Sequence, residues 1–169
     1  MAVLEILKFP DPKLRVISSP VQEIDDHIRK LVEDMKETMY AADGAGIAAI
    51  QVGEAARIFV IDAFIVSQDR KDEPIVFINP EIVSQGGKLE GEEGCLSFPG
   101  VYVPVKRSAR CTMRARDLNY KEFEMTGEGL LARAFQHEMD HLNGKLLIDY
   151  VGHLKKKFIK KKLKKTTLP

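Results

Sequence analysis

Residues 136–141 have the sequence Gln136-His137-Glu138-Met139-Asp140-His141, inside a segment, residues 127–142, with helical spacing of apolar positions. Gly144 follows and is typical of a helix end. On a helix, residues four apart share a face, so the imidazoles of His137 and His141 point toward one place. We expect this helix to pack through Leu130, Leu131, Ala134, Phe135 and Leu142.

The segment is an H-E-x-x-H motif, which indicates a metal held by two histidines. A metal lowers the pKa of its water, and a carboxylate placed like Glu138 accepts the proton as that water attacks a carbonyl. The alternative is a pair of surface histidines on an amphipathic helix. The acid between His137 and His141 favours the metal site.

A catalytic metal of this kind needs a third protein ligand and an open position. The chain has two cysteines. Cys95 follows Gly94 and precedes Pro99-Gly100, which predicts a fixed, exposed turn suited to a thiolate ligand. A loop thiol without a role is the alternative for Cys95. Cys111 lies in an alternating strand pattern and is expected to be a small buried side chain.

The glycine-rich stretch 44–51 reads Gly44-Ala45-Gly46-Ile47-Ala48-Ala49-Ile50-Gln51. It lacks the Gly-Lys-Ser/Thr of a phosphate loop, and by itself it is typical of a helix end and turn. Its small residues would let a substrate backbone approach closely, and the amide of Gln51 is a neutral donor suited to an oxyanion.

Length and composition suit one soluble domain spanning residues 1–169. The chain has 169 residues, 44% of them hydrophobic and 30% charged. Two cysteines are too few for a disulfide framework and favour a reducing compartment. The start lacks a signal-peptide pattern and no apolar run approaches a membrane span, so we expect a cytoplasmic protein.

The order of elements predicts an α+β fold, with antiparallel or mixed sheets around the helix that carries the HEMDH motif. An amphipathic helix is predicted for residues 25–41, capped by Asp25 or Asp26 and packed through Ile28, Leu31, Val32, Met35 and Met39. The pattern predicts strands at 57–62 and 75–78, a breaker at Asn79-Pro80, a hairpin within 108–125 turning near 117–119, and a last helix over 151–165.

Three motifs in this order resemble the signature of the peptide deformylases. The first, G-x-G-φ-A-A-x-Q, matches residues 44–51. The second, E-G-C-φ-S, matches Glu93-Gly94-Cys95-Leu96-Ser97, and the third, Q-H-E-x-D-H, matches residues 136–141. The resemblance extends over nearly the whole chain, from Leu7 through Tyr150. It departs at Ile50, where many members have proline, and near Tyr102, where some carry an arginine that contacts the peptide.

The resemblance implies a hydrolase that removes the formyl group from N-formylmethionyl nascent peptides. It implies one divalent metal on Cys95, His137 and His141, with Fe²⁺ as the native ion in many members and Zn²⁺ or Ni²⁺ able to replace it. Ligand chemistry alone would favour zinc. Glu138 is then the acid and base, and Gln51 and the backbone N–H of Leu96 stabilise the developing oxyanion.

Substrate contacts are expected from two segments. Gly44, Ala45, Gly46 and Gly94 would bring their backbones close to the peptide, with Gly46 pairing like an added strand. Leu130, Arg133 and Ala134 share a helix face with His137 and would hold the methionine side chain, although ordinary core packing of Leu130 and Ala134 is equally compatible with the pattern.

The C-terminal segment is strongly basic. Residues 155–165 contain eight lysines and no acid, so a net charge of +1 leaves −7 for the remainder. A terminal helix with solvated lysines explains the pattern, and docking to an anionic partner such as the ribosome is the sharper hypothesis. DNA is not an expected partner. A membrane surface is disfavoured because tryptophan is absent.

Two other functions remain open at this stage. A zinc metallopeptidase would take its third ligand downstream of the helix, where His153 is the only later histidine. A ribosome- or RNA-binding module would use the metal only to hold the fold, but a structural site normally has four protein ligands. His27 and His153 have no partners in the pattern and are expected at the surface.

Overall fold

The computed structural model describes residues 2–66 and 74–167. It has the predicted α+β architecture, and the seven strands of the described part pair only in antiparallel fashion, beside an isolated parallel bridge between Ser19 and Ala56. The elements are α1 Asp26–Ala41, β1 Gly46–Ala48, β2 Ile58–Ile61, α2 Ala63–Val66, β3 Ile75–Gly86, β4 Glu92–Cys95, β5 Phe98–Pro104, β6 Arg110–Arg116, β7 Glu122–Glu128, α3 Leu130–Leu142 and α4 His153–Thr167. Short 3₁₀ helices lie at Pro12–Arg15, Ala49–Val52 and Leu147–Tyr150.

Five strands form the main sheet, in the order β1-β2-β3-β6-β7, and β4 pairs with β5 in a separate hairpin. Strand β2 is buried on both faces because helices cover both sides of the sheet. Ile58 and Val60 pack toward α1, and Phe59 and Ile61 pack toward α3. Burying each such side chain stabilises the fold by about 1.5–3 kcal/mol.

Helix α1 confirms the prediction for residues 25–41. The Asp25 side chain accepts a hydrogen bond from the Ile28 N–H at 2.9 Å, so Asp25 is the cap. All five predicted apolar positions are buried. Asp43 then adopts φ +54° and the chain turns into β1.

Helix α3 begins three residues later than predicted. Gly127 and Glu128 continue β7 and pair with Cys111 and Arg110, and Gly129 turns the chain at φ +60°. A Cβ at Gly127 would lie 2.5 Å from Leu131 Cγ, so a glycine is needed where β7 meets the helix. The glycines therefore mark a strand end and turn, whereas the sequence pattern had included Gly127 in the helix.

Asn79-Pro80 does not break the third strand as predicted. Strand β3 runs through it with a shift in register against β6 between Ile78 and Glu81. Asn79 takes φ +50°, and its side chain both accepts from the Val21 N–H and donates to the Val21 carbonyl, at 2.8 Å each. The register shift lies where Pro80, which has no N–H, cannot donate a hydrogen bond to the neighbouring strand.

The hairpin within 108–125 is confirmed as β6 and β7, with its turn at Asp117–Tyr120. Cys111 is buried as predicted, and His27 and His153 are exposed as predicted. The last helix, α4, starts two residues later than predicted because Leu147–Tyr150 forms a 3₁₀ turn first. Ile159 and Leu163 of α4 are buried, but Leu154 and Phe158 are 83% and 68% exposed.

Within residues 2–66 and 74–167, no helix has the length and apolarity that a membrane span requires.

Candidate active site

Three potential metal ligands from two elements converge. Helix α3 supplies His137 and His141, and the end of β4 supplies Cys95. Their ligand atoms all lie within 4.8 Å of one another, and Cys95 Sγ is 3.4 Å from His141 Nε2. One sulfur and two imidazole nitrogens are a donor set that fits a zinc- or iron-type ion with an open fourth position.

The pKa of the Cys95 thiol is well below its usual value. Burial alone would raise it, but the charges and hydrogen bonds of His141 and His137 outweigh burial. The Gln51 amide also lies beside the sulfur, with Nε2 3.6 Å from Sγ. The thiolate form of Cys95, which is the form that ligates metals, is therefore favoured.

His137 is oriented by a buried carboxylate. Its Nδ1 lies 2.9 Å from Glu93 Oε1, which leaves Nε2 to face the Cys95–His141 side. Glu93 is 5% exposed and also accepts from Arg107, at 2.7 and 2.8 Å, and from Arg133 at 2.7 Å. Burial would raise the pKa of Glu93, but hydrogen bonds from Arg107 and His137 lower it to about 2.

Arg107 connects this carboxylate to a second one. Its Nη1 donates to Asp140 Oδ2 at 2.7 Å and to the Tyr150 hydroxyl at 2.9 Å, while the Tyr150 hydroxyl lies 2.5 Å from Asp140 Oδ2. No role was predicted from the sequence for Arg107 or Tyr150. The sequence did offer one signal for such a partner. Glu93 and Asp140 are acids inside two of the three motifs, and acids drawn into a site need cationic partners.

Glu138 is a buried carboxylate with an unused oxygen. The residue is 4% exposed, and its Oε1 has no hydrogen-bond partner. Burial raises the pKa of Glu138, an effect that the nearby histidines only partly offset. Buried carboxylate oxygens are rarely unpaired, so this atom is a candidate for contact with a reacting water or substrate.

Gln51 is held with its amide group toward the cluster. Its Oε1 accepts from the Ala48 N–H at 3.0 Å, and its Nε2 donates to Ser97 Oγ at 3.1 Å. Ser97 is fully buried and belongs to the second motif, yet it had no predicted role. This serine fixes the orientation of the Gln51 amide.

A cavity of about 480 Å³ opens beside these groups. All seven residues predicted to contact the substrate line it, and Gln51, Leu96, Cys95, His137 and Glu138 line it too. Leu130 is 63% exposed, so it belongs to the cavity rim and not to the core packing that was also predicted for it. The guanidinium of Arg133 bonds to Glu93, which leaves its alkyl stem for the cavity. Ile65, Pro99 and the exposed Tyr102 also line the cavity, although the sequence did not predict them as contacts.

The ligand cluster, the buried carboxylate and the adjoining cavity together define a metal-dependent hydrolase. The polypeptide deformylase family model matches residues 3–157, and the chain belongs to that family. It is thus a hydrolase acting on the formyl amide of peptides.

Individual relatives agree over nearly their full length. A peptide deformylase of Azotobacter vinelandii is 52% identical over 166 residues, which are 98% of this chain and 96% of that protein. The crystal structure of a peptide deformylase from Legionella pneumophila has a TM-score of 0.91 and 46% identity, covering 99% of this chain and 100% of that one. One from Ehrlichia chaffeensis in complex with actinonin has a TM-score of 0.93 and 40% identity, covering 100% of both.

Proposed function

We propose that this chain removes the formyl group from N-formylmethionyl nascent polypeptides and releases formate, using the cavity beside Cys95, His137 and His141. The observation that carries the proposal is the buried Glu138 carboxylate, whose Oε1 has no hydrogen-bond partner, in a residue that lines the same cavity as Cys95 and His137. An amide hydrolase needs a metal site, a base and room for a substrate in one place.

Cys95, His137 and His141 would hold one divalent ion. We propose Fe²⁺ as the native ion, with Zn²⁺ or Ni²⁺ accepted by the same donors. When bound, the ion supplies Lewis acidity and lowers the pKa of water at its open position. Glu93 supports this role, because its bond to His137 Nδ1 fixes the tautomer that offers Nε2.

Glu138 would accept a proton from the attacking water and pass it to the leaving amine. Burial raises the pKa of the Glu138 carboxyl toward neutral pH, and a carboxyl with such a pKa can both accept and return a proton. Because Glu138 is only 4% exposed, proton exchange between its carboxyl and bulk water is limited.

Gln51 and the Leu96 N–H would stabilise the negative charge that develops on the formyl oxygen. Gln51 Nε2 carries two protons, and its contact with Cys95 Sγ at 3.6 Å is longer than its bond to Ser97 at 3.1 Å. The weaker contact is the one that a substrate oxygen would replace. Losing one such donor raises a barrier by about 3–4 kcal/mol.

Two walls of the cavity would hold the peptide. Strand β1 lies at the edge of the main sheet, so its first residue Gly46 and the preceding Gly44 and Ala45 would offer a backbone edge for main-chain pairing, and Gly94 lines the same cavity. Leu130, Ala134 and the Arg133 stem would receive the methionine side chain. Gly46 has a further role, since a Cβ there would lie 2.7 Å from Glu138 Oε2.

The test is formate release from formyl-Met-Ala-Ser by protein purified anaerobically with Fe²⁺, beside the acetylated peptide. We expect formate from the first peptide and no acetate from the second. Cleavage of internal peptide bonds instead would favour a metallopeptidase. A folded, metal-loaded protein that hydrolyses neither peptide would leave only a binding role.

We also propose that the basic helix α4 contacts the ribosome. Leu154 and Phe158 are exposed on a helix that carries the lysine-rich segment 155–165, so an apolar contact can accompany attraction to RNA. Co-sedimentation with ribosomes should fall with added salt and with Leu154→Ser/Phe158→Ser. Val3→Ser, at a residue 57% exposed outside α4, is the control. Binding that ignores both changes would exclude this contact.

Nascent formylated chains are made where translation occurs, so the proposed location is the cytoplasm. Residues 1–169 are proposed to act as one catalytic domain, with the basic helix as its C-terminal element.

A further inference from the structure

A second cavity, of about 700 Å³, lies on a different face of α3 from the metal ligands. Gln136, Met139 and Asp140 line it from the helix. The active-site cavity instead lies along Leu130, Arg133, Ala134 and His137. The volume is within the range of about 300–1,000 Å³ found for small-molecule sites.

Positive side chains reach this cavity from three separate segments. Lys88 comes from the turn after β3, Lys106 and Arg107 come from the connection between β5 and β6, and Lys145 follows α3. Such convergence differs from a row of lysines on one helix face, because the tertiary fold brings these groups together.

The charges do not cancel within the cavity. Arg107 is neutralised by Glu93 and Asp140, and Glu90 faces Lys106 across an exposed 3.8 Å pair. Among residues 2–66 and 74–167, neither Lys88 nor Lys145 forms an ion pair with a carboxylate. The Lys145 ammonium lies 4.3 Å from the Tyr150 ring centroid, which keeps it beside the cavity.

The wall behind these lysines is held in place by hydrogen bonds. The Gln136 amide accepts from the Ser108 N–H and donates to the Ser108 and Ala132 carbonyls, each at 2.9 Å. Ser108 Oγ is bonded to Gln85 at 3.2 Å. Ile82 and Met139 add an apolar area to this polar frame.

We propose that this cavity is a binding site for a phosphorylated small molecule, with its phosphate near Lys88, Lys106 and Lys145 and its apolar part against Ile82 and Met139. Lysine ammonium groups bind phosphate as point charges, and charge-assisted bonds to its oxygens are the strong ones. The fixed wall lowers the ordering cost of binding. This site is independent of the deformylation chemistry proposed for the other cavity.

The test is titration of the full-length, zinc-loaded protein with inorganic pyrophosphate, followed by backbone amide NMR shifts. We expect saturable shifts at Lys88, Lys106, Ser108 and Lys145, with a submillimolar Kd. Lys88→Gln with Lys145→Gln removes two of the charges and should weaken binding by about a hundredfold. Lys13→Gln with Lys121→Gln, exposed lysines elsewhere, is the matched control and should leave the Kd unchanged.

Several outcomes would overturn the proposal. Shifts confined to Cys95, Leu96 and His137 would mean that pyrophosphate binds only at the zinc. Shifts confined to α4 would mean general attraction to the basic helix. An equal loss of affinity in the control pair, or the absence of saturable shifts at millimolar pyrophosphate, would likewise exclude a site in this cavity.

Discussion

Glu93 Oε1 lies 2.9 Å from His137 Nδ1, and the same carboxylate is held by Arg107 and Arg133. His137, a proposed metal ligand, is thus oriented by a buried acid whose own charge is balanced by two guanidinium groups. The proposed roles of the site depend on this arrangement, because an imidazole binds a metal through the nitrogen that its second hydrogen bond leaves free.

Glu93→Gln should lower metal affinity by about 10–100-fold, because the amide orients His137 less firmly and does not balance the guanidinium charges. The measurement is competition for Zn²⁺ by a coloured chelator. Glu92→Gln, at the exposed neighbouring position, should match the wild type. Equal chelator midpoints for Glu93→Gln and the wild type would contradict the assigned role of Glu93.

Gly46→Ala should reduce kcat by about a hundredfold through displacement of Glu138, since a shift near 1 Å at a reacting group costs that much. The added Cβ would lie 2.7 Å from Glu138 Oε2 and 3.3 Å from the Val60 carbonyl oxygen. Steady-state kinetics with formyl-Met-Ala-Ser measure the effect. Gly86→Ala, where a Cβ meets nothing within 4 Å, is the control. If Gly46→Ala kept the full kcat, the position of Glu138 would not depend on the absence of a side chain at Gly46.

Leu130→Asp should raise KM for formylmethionyl peptides while metal content stays intact, because the methionine side chain would lose an apolar contact and would have to desolvate a carboxylate at the cavity rim. Leu130 is 63% exposed, so the fold should tolerate the change. Leu154→Asp places the same charge at an 83% exposed leucine on α4 and should leave KM unchanged. Unaltered kinetics of Leu130→Asp would place the methionine elsewhere.

Asp149 should contribute stability that depends on pH. Burial would raise its pKa, but hydrogen bonds from Arg15 and from the Leu146 N–H lower it. A lowered folded-state pKa means that the contribution is present above the unfolded value of about 3.9 and is lost as the pH falls below it.

In metal-free protein at neutral pH, Arg15→Gln should therefore reduce the free energy of unfolding by about 1 kcal/mol or less, since the pair is partly exposed. The difference from wild type should shrink below about pH 4. Urea unfolding at several pH values measures it, with Lys13→Gln as control. A difference that stayed constant in acid would mean that Asp149 does not titrate with Arg15.

Local periodicity sufficed for the packing face of α1 and for the ligand face of α3. The five apolar positions of α1 and the shared face of His137 and His141 follow from 3.6-residue spacing, which depends only on neighbouring residues. The end of β7 could not be predicted from local spacing, because whether Gly127 belongs to a strand or a helix depends on its pairing with Cys111.

The ion pairs behind the site were also beyond pattern analysis. Arg107 contacts Glu93, 14 positions away, and Asp140, 33 positions away, and nothing local in the sequence marks it as buried. An arginine is normally expected at the surface, and only the fold reveals that the buried Glu93 and the partly buried Asp140 both contact Arg107. The residue pattern predicted Cys95 as the third ligand and kept a loop thiol as the alternative, and the resemblance to a family supported the ligand.

The measurement that most directly tests the central claim is single-turnover formate release by Glu138→Gln, compared with wild type at equal metal content. The account predicts a loss of about 10²–10⁴-fold in rate, with metal stoichiometry and substrate affinity unchanged, because only the proton-transferring oxygen is replaced. A metal-loaded Glu138→Gln protein that released formate at the wild-type rate would contradict the account, since the buried carboxylate would then have no part in the reaction.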